Sequence, residues 1–210
     1  MSIRLIDINL SEKEKEILDN FKISENAVFN YYGDFENLKG MYKFFHQFDT
    51  KKNSKVIKRL IKKIIKEQVT KLGKYFWLTI RITVPSHEFD LPRWHTDGTY
   101  FSDTEVNDKF LLTLKGPSTL YITDKLASDL YHKNVKYIVN SFEEYQKLRE
   151  NIANLLKDFE HKQIPKYCGL IFSAQQVLHS EPVLSESRIF LSVVPGTESQ
   201  INQLKKRFEG

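Results

Sequence analysis

The sequence predicts an α+β fold built on a largely antiparallel sheet or barrel. Helical periodicity dominates the first part of the chain, apolar residues alternate in steps of two through the later part, and one helical stretch is set among those strands. Helices that precede strands, rather than alternating with them, argue against a parallel βαβ sheet. No repeat, linker or low-complexity tract divides the 210 residues, so 1–210 is read as one domain, long enough to bury a core without staples.

The elements follow in order. "SEKE" at 11–14 is a capping box, in which Ser11 caps a helix over about 12–21 and Glu14 reaches back. Residues 35–49, "FENLKGMYKFFHQFD", read as a second helix weakened by Gly40. Over 55–72, Val56, Leu60, Ile61, Ile64, Ile65 and Val69 form one apolar stripe and predict a stronger third helix. Residues 1–75 are therefore read as a mainly helical N-terminal support.

The period then changes. "FWLTIRITVPS", 76–86, alternates Leu78, Ile80, Ile82 and Val84 with Thr79, Arg81 and Thr83, which is a strand. After a polar loop comes "RWHTDGTYF", 93–101. "KFLLTLKGPSTLYIT", 109–123, predicts two strands joined at Gly116-Pro117, and "VKYIV", 135–139, predicts one more. "SFEEYQKLRENIANLLKDFEH", 141–161, opens on a second capping box, Ser141 to Glu144. Its stripe of Tyr145, Leu148, Ile152, Leu155, Leu156 and Phe159 predicts one helix inserted within the strand region 76–196. "GLIFSAQQVLHS" and "SRIFLSVVPG" return to strand, and 197–210 is read as a C-terminal tail.

Composition excludes some classes. The one cysteine, Cys168, forbids an intramolecular disulfide and fits a reducing compartment. No signal-peptide pattern and no run of about 18 apolar residues occurs, so the expectation is a cytoplasmic protein that does not span a membrane. The net charge of +5 is uneven: residues 51–74 hold ten Lys and Arg against one Glu, and the rest of the chain carries an excess of acid. The basic segment reads as a helix that packs its apolar stripe on the barrel and keeps its lysines in water.

His95 and Asp97 are the first candidate ligands. In an extended segment residues i and i+2 point to one side, so an imidazole and a carboxylate would converge. The pair alone is a weak signal among six histidines, and a turn with a surface hydrogen bond explains it equally. Two His and one carboxylate on one face of a metal, with open positions opposite, is the arrangement of non-haem Fe(II) oxygenases. His179 ends an apolar strand, Pro182 breaks it, and Arg188 opens the next strand. Alone, His179 reads as a core histidine and Arg188 as a strand-edge charge. In this order they change the reading of the pair.

His95, Asp97, His179 and Arg188, with gaps of 82 and 9 residues after Asp97 and His179, resemble the pattern of the 2-oxoglutarate/Fe(II)-dependent oxygenase superfamily. "GLIF", "H-x-x-P" and "R-I-F-L-S" resemble that family's closing strands, and "KFLLTLKGPSTLY" resembles a bacterial subgroup of it. The resemblance spans roughly 76–195 and does not reach the N-terminal helices. It implies a double-stranded β-helix (cupin-like jelly-roll) core with flanking N-terminal helices and the inserted helix. It also implies Fe(II), with Ni, Zn, Co or Mn as surrogates, held by His95, Asp97 and His179. 2-Oxoglutarate would be the co-substrate, its far carboxylate clamped by Arg188 with help from Ser192, four residues on, and from Thr113 on a facing strand. The implied partners are O2 and an unidentified small molecule or protein side chain to be hydroxylated. The oligomeric state is left open. The competing reading is a catalytically silent metal-binding barrel whose basic helix binds a partner or nucleic acid.

Departures narrow the family. Asp97 is present, which halogenating relatives lack. No N-x-Y precedes the H-x-D and no second arginine follows Arg188 before Arg207, unlike the nucleic-acid-demethylating branch. An arginine after the distal histidine also differs from the histone-demethylase type. The prolyl-hydroxylase-like strand has a tyrosine where Ile82 aligns. His46, His87, His132 and His161 are read as surface or packing residues, Cys168 as a buried thiol, and Trp94, Tyr100 and Phe101 as pocket-mouth or core residues.

Overall fold

The period-two alternation gives each strand one apolar face for helices and one mixed face for an interior between two sheets. The computed structural model describes residues 3–86, 91–101, 107–135 and 138–209. In chain order its elements are β1 (Ile3–Asp7), α1 (Glu12–Asp19), β2 (Ala27–Asp34), α2 (Met41–His46), α3 (Lys51–Ile64), β3 (Tyr75–Thr83), β4 (Arg93–His95) and β5 (Asp108–Lys115). Then follow β6 (Leu120–Ile122), α4 (Lys125–Asn134), α5 (Phe142–Leu156), β7 (Lys162–Gln163), β8 (Cys168–Ser173), β9 (Leu178–Glu181), β10 (Arg188–Gly196) and α6 (Glu198–Glu209). A six-stranded sheet has the order β1-β8-β5-β10-β3-β2, and a four-stranded sheet the order β4-β9-β6-β7. Strand pairing is antiparallel throughout. This is a double-stranded β-helix core in an α+β chain.

The helices cover the outer faces. Leu78, Ile80 and Ile82 of β3, Phe110 and Leu112 of β5, and Leu191 and Val193 of β10 share one core with Leu18, Phe45, Leu60 and Ile61 of the N-terminal helices. α4 and α5 cover the small sheet through Ala127, Tyr131, Ile152 and Leu156, which pack with Trp94 and Leu178. The other face of β3, carrying Trp77, Thr79 and Arg81, is turned to the interior.

Several local expectations change. Within 1–75, β1 and β2 are added to the helices and extend the large sheet at its two edges. The helix expected over 35–49 is cut to six residues by Gly40, whose φ of 83° starts α2. α3 begins earlier than expected, capped by Thr50. It buries Ile57 rather than Val56, and it passes at Ile65–Val69 into a π-turn closed by Thr70 N–H to Ile65 O. Among the described residues, two helices lie between the strands, where one was expected. α4 ends at Asn134, and the described part of "VKYIV" forms no strand. The tail 197–210 is mostly helix: α6 buries Ile201 and Leu204 against Val194.

Candidate metal centre

β4 and β9 pair with His95 opposite His179, so two histidines far apart in sequence become cross-strand neighbours with ring centroids 4.3 Å apart. His95 Nδ1 lies 2.8 Å from Arg93 O, and His179 Nδ1 lies 3.0 Å from Val177 O. A carbonyl only accepts, so each Nδ1 carries the proton and each Nε2 presents a lone pair. Asp97 lies just past β4, where its N–H donates to Ala174 O at 3.1 Å. Lys109 Nζ donates to Asp97 Oδ1 at 2.7 Å. Among the described residues Asp97 Oδ2 is buried without a hydrogen-bond partner, and it stands 3.6 Å from His179 Nε2. One ligand atom from each of His95, Asp97 and His179 falls within 4.8 Å of the others.

The electrostatics suit a cation. Burial opposes ionisation of Asp97, but Lys109 and the two imidazoles outweigh it and bring the carboxyl down to about 2. Burial, then the neighbouring His95, lowers His179 to about 3, and burial lowers His95 as well. The imidazoles are thus neutral at neutral pH, the form that binds metal. An orphaned buried oxygen is costly unless something satisfies it. A divalent ion would satisfy Oδ2 and both lone pairs, and two nitrogens with one oxygen match the donor set of non-haem iron. The residues fit the metal.

Arg188 is buried at the start of β10. Its Nε donates to Pro117 O at 3.0 Å, and its Nη2 donates to Thr119 Oγ1 at 2.8 Å and Thr113 Oγ1 at 3.2 Å. The guanidinium stacks 4.4 Å from the Phe190 ring centre. Burial lowers its pKa to about 10, which still leaves it charged at neutral pH. No carboxylate among the described residues forms an ion pair with it. Gly116, at φ 81°, permits the close approach: a Cβ there would stand 2.6 Å from Ser187 O and 3.0 Å from Arg188 Cα.

The interior cavity holds about 140 Å³ and is lined by His95, Asp97, His179, Lys109, Thr119, Phe190 and Ser192, among others. The structure therefore brings His95, Asp97 and His179 together and sets Thr113 on Arg188. Ser192 lines the cavity without a hydrogen bond to Arg188 among the described residues. Lys109 and Thr119 escaped the sequence reading. Lys109 is on the interior-facing parity of β5, a usable signal, whereas Thr119 sits in a turn with no periodicity.

The remaining expectations divide. Tyr100 lines the cavity, Phe101 packs near α6, and Trp94 lies in the core behind the small sheet. His46 stacks on Tyr42, His132 meets the Tyr131 ring, and His161 packs on Trp94. His87 lies outside the described residues. Cys168 is half-exposed rather than buried, because β1 is a thin edge strand, and its thiol donates to Asp7 at 2.9 Å. Ile82 faces the helices, so a tyrosine there would not reach the cavity.

Among solved structures the chain is similar to the Kdo hydroxylase KdoO, described as a non-haem Fe(II) α-ketoglutarate-dependent dioxygenase. The two are 14% identical over 98% of this chain and 82% of that one, with a TM-score of 0.51. The cobalt(II) complex of that enzyme and its complex with α-ketoglutarate and Fe(III) match equally well, each at TM-score 0.51. The fold is that of the Fe(II)/2-oxoglutarate-dependent oxygenases. This oxygenase fold reaches beyond the expected 76–195, since the match includes the N-terminal helices and α6. No family model matches the sequence, and no curated protein does.

Proposed function

We propose that the chain is an Fe(II)- and 2-oxoglutarate-dependent dioxygenase that hydroxylates a small molecule or a protein side chain. The reading rests on one observation: three converging ligand atoms share a barrel with a buried arginine that has no carboxylate partner among the described residues. His95 and His179 would hold the metal through Nε2 and Asp97 through Oδ2. Lys109 occupies Oδ1, so Asp97 offers a single oxygen. Three protein ligands leave the other positions free for co-substrate and O2. Bound there, Fe(II) would supply oxygen activation coupled to decarboxylation of 2-oxoglutarate to succinate.

Arg188 would receive the far carboxylate of 2-oxoglutarate. A buried guanidinium needs an anion, and its fork suits a carboxylate. Thr113 and Thr119 hold Nη2 in place. Thr119 and Ser192 line the metal cavity. The test is conversion of 2-oxoglutarate to succinate by the Fe(II)-loaded protein in air. Succinate formation should be lost in His179→Ala and Asp97→Ala. Equal succinate from wild type and both variants would contradict the reading.

A further inference from the structure

We infer that the primary substrate of this site is an anion, bearing a carboxylate or a phosphate that Arg81 and Arg93 bind at the mouth of the cavity. The inference rests on the oxygenase reading above and adds to it the substrate's charge.

The observation is a cross-sheet triad. Arg93 stands opposite Glu181 in the β4–β9 pairing, while Arg81 reaches over from β3 in the other sheet. Arg81 Nη1 and Arg93 Nη2 both donate to the same oxygen, Glu181 Oε1, at 3.1 Å each. The two arginine side chains are 45% and 37% exposed, whereas that of Glu181 is 17% exposed. All three residues line the metal cavity and also an outer groove of about 590 Å³ that adjoins it. Whatever passes from the groove toward the metal passes these guanidiniums.

Charge balance leaves them unsatisfied. Two fixed positive charges share one carboxylate, the one acid among the described residues that pairs with either. Further in, Asp97 is matched by Lys109, Arg188 by the far carboxylate of 2-oxoglutarate, and a divalent metal keeps one positive charge beyond the chelating carboxylate, so no acid among the described residues inside the barrel offsets the surplus at the mouth. Each guanidinium has five N–H donors in a plane, the geometry that takes carboxylate or phosphate oxygens in pairs.

The groove also has a surface for the body of such a molecule. The Trp77 ring stacks on Phe208 at 4.9 Å between ring centres and on Tyr32 at 5.6 Å. Trp77 Nε1 and Thr79 Oγ1 both donate to Asn30 Oδ1, which turns the Asn30 amide so that its NH2 is left as a donor. Aromatic rings beside amide and hydroxyl groups in the groove lining suit a polar, hydroxylated body. A purely structural role for the triad, a staple between the sheets, predicts no such anion preference.

The test uses cobalt(II)-loaded protein saturated with 2-oxoglutarate and titrated calorimetrically with four probes. These are gluconate and its neutral counterpart glucose, then glycerol 3-phosphate and its neutral counterpart glycerol. At least one anion should bind about tenfold or more tightly than its neutral counterpart, as expected for charge-assisted hydrogen bonds. The two anionic arms tell carboxylate from phosphate. Arg81→Met and Arg93→Met should each weaken the preferred anion about tenfold. Glu181→Gln, which leaves both arginines in place and removes their competitor, should strengthen it. Affinity for 2-oxoglutarate should fall in none of these three variants. Equal binding of charged and neutral probes, no binding of either anion, or weaker anion binding in Glu181→Gln overturns the inference. Failure of the metal-loaded wild type to bind 2-oxoglutarate would instead break the oxygenase reading.

Discussion

In the proposed reading, Arg188 is the residue that binds the co-substrate. It is a buried cation held by two threonine hydroxyls and a carbonyl. Replacing it with alanine should leave the far carboxylate of the co-substrate unpaired, a cost of about 3–5 kcal/mol. That corresponds to a loss of roughly two to three orders of magnitude in 2-oxoglutarate affinity. Metal affinity should be retained, and Arg188→Lys should restore only part of the loss because an ammonium lacks the fork. Calorimetric titration of wild type and both variants measures this, and equal affinities would remove Arg188 from the site. His179 gives a second expectation. Its native pKa is lowered from 6.5 to about 3, so between these values the unfolded chain binds a proton that the native chain does not. The stability of the metal-free protein should therefore be full above pH 6.5 and decline as pH falls toward 3. Urea midpoints at several pH values test this, and a midpoint that rises on acidification would contradict it. At this scale the cluster of His95, Asp97 and His179 was legible, because H-x-D, a distal histidine and an arginine follow in order. Lys109, Thr119 and Glu181 were not, because their contacts cross between sheets and leave no spacing in the sequence.

α3 shows how far an element can be read from its pattern. Its apolar stripe identified the helix, and the structure packs Leu60, Ile61 and Ile64 onto the large sheet. The basic face stays toward solvent: Lys66 is exposed, Lys58 and Lys62 are half-exposed, and Lys62 lies 4.8 Å from the Phe35 ring centre. Changing Lys58, Lys62 and Lys66 together to Gln should cost less than about 1 kcal/mol and leave activity unchanged. Thermal melts and the succinate assay check this. A salt-sensitive affinity for nucleic acid that disappears in the triple variant would show that the face binds phosphates. The elements that escaped sequence reading are those stabilised from outside. β1 is a half-exposed edge paired, among the described residues, with β8 alone, and α6 buries Ile201 and Leu204. Neither has enough local pattern to stand out, and tertiary pairing decides both.

Across the whole molecule, the two ends of the chain serve the middle. β1 and β2 widen the large sheet to six strands, so the N-terminal helices have a full face to cover. From the other end, α6 reaches the loop after Asp97, where Arg207 Nη1 donates to Thr99 O at 3.2 Å. The α+β class was legible because helical and strand periods are segregated along the chain. The distribution of strands between two sheets was not, since β5 and β6 are adjacent in sequence but belong to different sheets, separated by the turn at Gly116. In the proposed reading this barrel holds Fe(II) and 2-oxoglutarate together, which an anaerobic titration can decide. Fe(II)-loaded protein is titrated with 2-oxoglutarate without oxygen, and the visible charge-transfer absorption of a 2-oxo acid chelated to Fe(II) is followed. The expected result is a band that saturates at one equivalent in wild type, is absent in His179→Ala and Asp97→Ala, and requires far more 2-oxoglutarate in Arg188→Ala. No band in wild type, or a band that persists in His179→Ala, would contradict the account.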